Sequence, residues 1–275
     1  MTTQRRNVGA GRAVLIAIAL LWSLFPLYWM YSTAFKPEAL DRRVPPVFVF
    51  QPTFENFERM LRATPFLQYL KNTLIVAGVT TVAAVALGSL AAYSFTRFRY
   101  PGSDFLPLAY LVMRMLPRFV LVIPYYLLMR TFGLLNTHSS MILAYLGFAL
   151  PFTIWMMIGF FKEIPIELEE AAMVDGGDRL RVFAQIVLPL AAPGLAATSI
   201  FAFILAWNEL LFSLVLSGRD TRTLAQLPLT FSTDRGTEWG MVMAAGSLTL
   251  LPVIAFALLV QRHILRGMTL GAVKG

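Results

Sequence analysis

Cysteine is absent from the 275 residues, which removes disulfide frameworks and thiolate metal sites. Histidine occurs twice, as His138 and His263, each at the edge of an apolar stretch. No His-Glu-x-x-His pair, no glycine-rich phosphate loop with its lysine and no Gly-x-Ser-x-Gly elbow occurs. The chain therefore lacks the parts to hydrolyse ATP by itself, and any work it does draws energy from a partner. Charge is scarce as well. Charged residues make up 14% of positions against 57% hydrophobic, and mean hydropathy is +0.67. A soluble domain of this length needs far more charge to cover its surface, so lipid is the expected solvent. The net charge of +8 does not point to nucleic acid. Its lysines and arginines are scattered at the ends of apolar segments, where anionic headgroups explain them, and do not line one face.

What is present is a series of apolar stretches. A helix needs about 20 apolar residues to cross the hydrocarbon core. Residues 13–31, 73–95, 105–129, 141–161, 194–216 and 241–260 each meet that length. The expected fold is therefore an all-α polytopic membrane protein with about six transmembrane helices, organised as a single domain over 1–275. Arg5, Arg6 and Arg12 precede the first stretch as they would a signal peptide. Tyr28-Trp29-Met30-Tyr31 stands where a cleavage site needs small residues, so the stretch is read as a retained span. Lysines and arginines divide almost evenly between the two sides. Both tails and the 97–101 loop are basic and free of acids, however, while the opposite loops carry Glu38, Asp41, Glu55, Glu58, Asp220, Asp234 and Glu238. The positive-inside rule then places both termini in the cytoplasm.

On the opposite side, Phe54, Phe57 and Leu61 recur at helical spacing after Thr53, a candidate N-cap, and predict a short amphipathic helix. Residues 217–239, with Gly218, Pro228 and Gly236, read as a loop able to reach a partner. In the second stretch Ala84, Gly88 and Ala92 share a face, small enough to let another helix approach closely.

The long polar stretch on the expected cytoplasmic side, 162–189, is ordered by its own sequence. Pro165 suits the first turn of a helix, and Glu167, Glu169 and Glu170 put negative charge near its positive end. Gly176-Gly177 stops that helix. Asp178 caps a second helix over 179–188, in which Val182 and Ile186 share a face and which Pro189 ends. A helix, a glycine break and a second helix make a knob that fits a groove on another protein.

The motif inside this knob is specific. Glu170-Ala171-Ala172, three residues, Gly176, nine residues, Ile186, one residue, then Leu188-Pro189 resembles the EAA loop of binding-protein-dependent ABC importer permeases. The likeness extends through Lys36-Pro37, Leu116-Pro117, Ile123-Pro124, Ala206-Trp207-Asn208-Glu209 and the tail Gly271-Ala272-Val273-Lys274-Gly275. These are similar to the carbohydrate-uptake branch, and within it to the shorter, six-span partner of the maltose type. The resemblance implies a non-catalytic permease subunit that translocates a sugar or sugar derivative by alternating access. It implies a bacterial or archaeal plasma membrane and a heterodimer with a homologous permease. It further implies two nucleotide-binding ATPase subunits that hold ATP and Mg, and an external solute-binding protein. No cofactor is expected on this chain. Glu170, Ala171, Ala172, Asp175, Gly176, Ile186, Leu188 and Pro189 would couple to the ATPase, and Gly271, Lys274 and Gly275 in the tail would touch it. The physical reading agrees, since alanines permit close approach and glycine a tight turn.

Arg114, Arg118 and Glu209 fall inside apolar stretches, where a charge at the bilayer centre costs about 2.5–3.5 kcal/mol and faces protein or water. With Trp207 and Asn208 they are candidates for the substrate path. Arg114 and Arg118, four apart, are expected on one helix face, where a positive pair would suit an anionic sugar. In the competing arrangement one arginine pairs with Glu209. An ion-coupled carrier is the alternative class, but it needs ionisable pairs along several spans, and these three residues are all the spans offer.

Overall fold

The structure is a computed structural model that describes residues 9–41, 43–233 and 236–271. The chain divides into two compact units, residues 1–65 with 227–250, and residues 66–226 with 251–275.

The first unit opens with α1 (Ala10–Ala34), apolar on all sides and exposed over residues 11–28, as a helix built for lipid is, with Thr33 and Ala34 buried at its end. The short α2 (Glu38–Asp41) and α3 (Glu55–Ala63) follow. Buried Asn56 of α3 donates through Nδ2 to the carbonyls of Ala34 (3.1 Å) and Lys36 (2.7 Å), satisfying groups that the end of α1 leaves open. Thr53 accepts the Glu55 N–H at 3.2 Å as its sequence suggests, although the helix begins two residues after it. The inward residues of α3 are Asn56 and Met60, while Phe54 is exposed.

In the second unit the 32-residue α4 (Phe66–Arg97) packs along α7 (His138–Lys162). Gly88 makes this possible, because a Cβ there would lie 2.5 Å from the Thr153 methyl group. Ala84 and Ala92, fully buried, continue the same stripe. The small-residue face thus serves contact within this chain.

Between α4 and α7, the stretch expected as one span over 105–129 is instead two helices, α5 (Phe105–Met115) and α6 (Arg118–Thr131), bent by 97°. Pro117 bars its predecessor from helical geometry, and Leu116 accordingly has ψ 128°. Arg114 and Arg118 therefore stand on different helices and do not share a helix face.

After α7 come α8 (Ile166–Val174), α9 (Arg179–Val182), a π-helical turn over Phe183–Val187 and α10 (Leu188–Leu190). Here too the expectation is corrected, because Pro189 does not end the helix. The widened turn, with the Leu188 N–H reaching the Phe183 carbonyl, shifts the hydrogen-bond register ahead of the proline and lets the chain run through it to Leu190. A 77° bend then leads into α11 (Ala192–Trp207). The stretch expected to run unbroken over 194–216 stops at Asn208 and resumes as α12 (Leu211–Leu216). In the connection that follows lies a 3₁₀ segment (Leu224–Phe231), then a two-residue ladder of β1 (Ser232–Thr233) with β2 (Gly236–Thr237). The last helix is α13 (Trp239–Gly271). Four described helices are long and apolar enough to span, or six when each bent pair counts as one.

Candidate functional site

The 162–189 loop is built by local rules and then fastened from beneath. Gly176 takes φ +89°, a conformation an L side chain avoids, and its N–H reaches the Met173 carbonyl at 3.1 Å. Gly177 is needed for a different reason, since a Cβ there would press on the Ala172 carbonyl at 2.9 Å. Asp178 caps α9 by accepting the Arg181 N–H at 2.7 Å. The expected coupling residues divide by exposure. Glu170, Ala171, Asp175, Gly176 and Pro189 are exposed, whereas Ala172, Ile186 and Leu188 are half-buried. Glu170 makes no ion pair among the described residues. The same loop exposes two large apolar side chains, Val174 at 87% and Leu180 at 74%. Between α8 and α9 a cleft of about 210 Å³ is lined by Ala172, Asp175, Arg181, Gln185 and Ile186, among others.

Glu169 faces the other way. Its Oε1 accepts from Arg97 Nε at 2.5 Å, and its Oε2 accepts the Tyr93 hydroxyl at 2.7 Å. The two charged side chains are 7% and 4% exposed. Arg97 Nη2 also donates to the carbonyls of Phe161 (3.0 Å) and Ile164 (2.8 Å), where α7 ends. Beneath lies a cluster of Tyr93, Met157, Phe161, Phe183 and Val187, with the Tyr93 and Phe183 rings 4.7 Å apart. Breaking such a buried pair by removing one partner typically costs about 3–5 kcal/mol, because the other charge is left uncompensated. Sequence reasoning names Glu169 only as helix-start charge and Arg97 only as a basic flank. The signal that separates them is the end position of Arg97 on a long apolar run.

The second polar group lies within the apolar helices. Glu209, 3% exposed in the gap between α11 and α12, binds Arg118 Nη1 through Oε2 at 2.5 Å, Arg118 being 41% exposed. Its Oε1 accepts the Phe212 N–H at 3.2 Å at the start of α12, and its carbonyl accepts the Tyr145 hydroxyl at 3.1 Å. Arg118 Cζ lies 4.2 Å from the Phe148 ring centre, and Arg114 Cζ 4.7 Å from that of Phe152, one turn along α7. Each stacking contributes about 0.5–2 kcal/mol, the larger figure where water is excluded. A cavity of about 90 Å³ is lined by Arg114, Arg118, Tyr125, Phe148 and Phe212, among others.

Trp207 and Asn208 do not join this cluster. Trp207 is turned into the protein against Phe203, with ring centres 5.2 Å apart. Asn208 is exposed and donates back to the Ile204 carbonyl of its own helix at 2.9 Å. Of the tail residues, Gly271 ends α13, and Lys274 and Gly275 lie outside the described residues.

A predominantly helical chain with up to six candidate spans, ion pairs at Arg97–Glu169 and Arg118–Glu209 and a glycine-broken helical loop has the make-up of a multi-pass membrane protein. Residues 84–270 match the model of the binding-protein-dependent transport system inner membrane component, and the chain belongs to that family. Family membership sets aside the ion-coupled carrier. The chain is 38% identical to the diacetylchitobiose uptake system permease protein DasC of Streptomyces coelicolor, over 96% of this chain and 95% of that protein. With the trehalose/maltose transport system permease protein MalG of Thermococcus litoralis it shares 35% identity, again over 96% and 95%. Its fold is similar to a chain in the crystal structure of a bacterial ABC transporter involved in the import of the acidic polysaccharide alginate. That similarity has a TM-score of 0.76 at 23% identity and covers 95% of this chain and 98% of that one.

Proposed function

We propose that the chain, as one permease domain over 1–275, is half of a paired permease in an ATP-driven importer of a sugar or sugar derivative. The observation that carries the proposal is the outward face of the 162–189 loop. Glu170 is exposed there and unpaired among the described residues, on a loop that also exposes Val174 and Leu180, while its neighbour Glu169 is anchored underneath. Exposed apolar side chains and an unpaired carboxylate, on a loop outside the lipid-facing spans, suit a protein partner. That partner is an ATPase subunit, two of which bind ATP and Mg and supply the energy. A homologous second permease and an external solute-binding protein complete the assembly in a bacterial or archaeal plasma membrane. Both termini are cytoplasmic, and the tail with Gly271, Lys274 and Gly275 lies against the ATPase. Sugar is the substrate class because the relatives named above serve diacetylchitobiose and trehalose/maltose. Arg114, Arg118 and Glu209 border the path, and Asn208 stands exposed at its edge.

Purification of the full chain in mild detergent tests the reading. Two ATPase subunits and a second permease should accompany it. Vesicles holding that complex should take up sugar with Mg-ATP and binding protein, and without a sodium or proton gradient. Uptake driven by a gradient alone would overturn the proposal.

A further inference from the structure

We infer that the Arg97–Glu169 pair is the rigid link that passes movement of the 162–189 loop into the membrane helices. The inference rests on the reading of that loop as the ATPase contact. A force applied to α8 reaches the spans by covalent connections or by side-chain contacts. The covalent route is interrupted, because on one side α8 joins α7 through the non-helical 163–165 and on the other it meets the glycine pair at 176–177. The side-chain route is short and stiff. Arg97 is the last residue of α4, and one guanidinium holds three things: the Glu169 carboxylate of α8 and the Phe161 and Ile164 carbonyls at the end of α7. Tyr93, one turn earlier in α4, holds the second carboxylate oxygen.

Two fixed oxygens and a forked donor prevent α8 from rotating about the pair, which a single point contact would allow. The pair is nearly dry, so water does not compete for these bonds while the loop is pushed. Helices α4 and α7 are also packed on each other, so displacement of α8 carries both ends together. The sequence places this anchor one residue before Glu170. Adjacent carboxylates on one helix thus divide the labour, Glu170 facing the partner and Glu169 facing the spans. Arg97, Glu169 and Tyr93 are positioning residues, acting through the helices they join.

The test uses the full chain in vesicles with the ATPase subunits and binding protein that co-purify with it, and reads sugar taken up per ATP hydrolysed. Arg97→Lys keeps the charge and gives up the fork to the two carbonyls. It should leave co-purification and hydrolysis near wild type and lower the ratio about tenfold. Glu169→Ala should lower the ratio at least as far. Glu169→Gln, which still accepts from Arg97 and can bond Tyr93, should lower it less than threefold. Where Glu169→Ala fails to assemble, Arg97→Lys and Glu169→Gln carry the comparison. An unchanged ratio in Arg97→Lys would overturn the inference. So would uptake and hydrolysis that fall together with the amount of assembled complex, since that marks a purely structural role. If the wild-type chain co-purifies with no ATPase, the proposed function itself fails.

Discussion

Arg118 and Glu209 meet at 2.5 Å across two interrupted helices, and each sits where its helix is broken. Arg118 is the first residue of α6, directly after the Leu116-Pro117 bend. Glu209 lies in the gap between α11 and α12, where its other oxygen accepts the Phe212 N–H. The pair therefore joins two breaks in the apolar helices, and Glu209 satisfies a backbone N–H at one of them, in keeping with irregular backbone being tolerated at membrane depth where protein buries it. It also cancels one of the two positive charges that the sequence puts in this region.

The 162–189 loop gives the first expectation. Glu170→Lys reverses the exposed carboxylate, and Gly176→Leu puts a side chain at φ +89°, costing about 1–2 kcal/mol in backbone strain. The double variant should insert normally and lose sugar uptake together with ATPase co-purification. Membrane fractionation, affinity recovery of the ATPase and uptake in vesicles read the three effects. Normal transport would remove Glu170 and Gly176 from the coupling contact.

Packing of α4 on α7 gives the second. Gly88→Leu drives a side chain into Thr153 and the Ile154 backbone, which a rigid helix pair cannot yield. Overpacking of this kind costs about 1–3 kcal/mol. Thermal unfolding of the full chain in detergent should show a clear fall in midpoint, whereas Gly78→Leu, in open space on the same helix, should leave it near wild type. Equal midpoints would mean that the close approach is relaxed in solution.

What the sequence made legible was whatever local signals determine. Glycine at 176, the cap at Asp178 and a run of small residues at 84, 88 and 92 each act within a turn or two of chain, and each is found where patterning placed it. The breaks at 116–117 and 208–210 were less legible. An apolar run hides a bend, and the second break is held by a partner 91 residues away. The Arg97–Glu169 pair spans 72 residues, and the position of Arg97 at the end of a long apolar run does not name its partner. Pro189 misled for the converse reason, since a proline ends a helix only when the preceding register is regular.

The tail supplies a third expectation. Deleting Gly271–Gly275 removes a lysine and two glycines beyond the apolar part of α13, and no span is shortened. If these residues lie against the ATPase, sugar-stimulated ATP hydrolysis in the reconstituted complex should fall severalfold with assembly unchanged. A rate equal to wild type would assign the tail no part in coupling.

The last expectation concerns substrate charge, and the geometry moves it from Arg118 to Arg114. Arg118 is matched by Glu209, so Arg118→Ala strands a buried carboxylate. Loss of stability should follow, and Glu209→Gln should recover most of it in the double variant, because a neutral amide no longer needs a counter-charge. Arg114 has no carboxylate partner among the described residues and stands exposed over Phe152 beside the 90 Å³ cavity. Its positive charge is therefore available to a ligand in that cavity. In a low-dielectric passage one uncompensated charge favours an anionic sugar over a neutral one of the same shape. Arg114→Gln should accordingly lower uptake of a uronate-bearing disaccharide at least tenfold, relative to its neutral counterpart, at matched binding-protein occupancy. Equal changes for the two sugars would return Arg114 to a packing role over Phe152, and the choice of substrate charge would rest with the partner subunits.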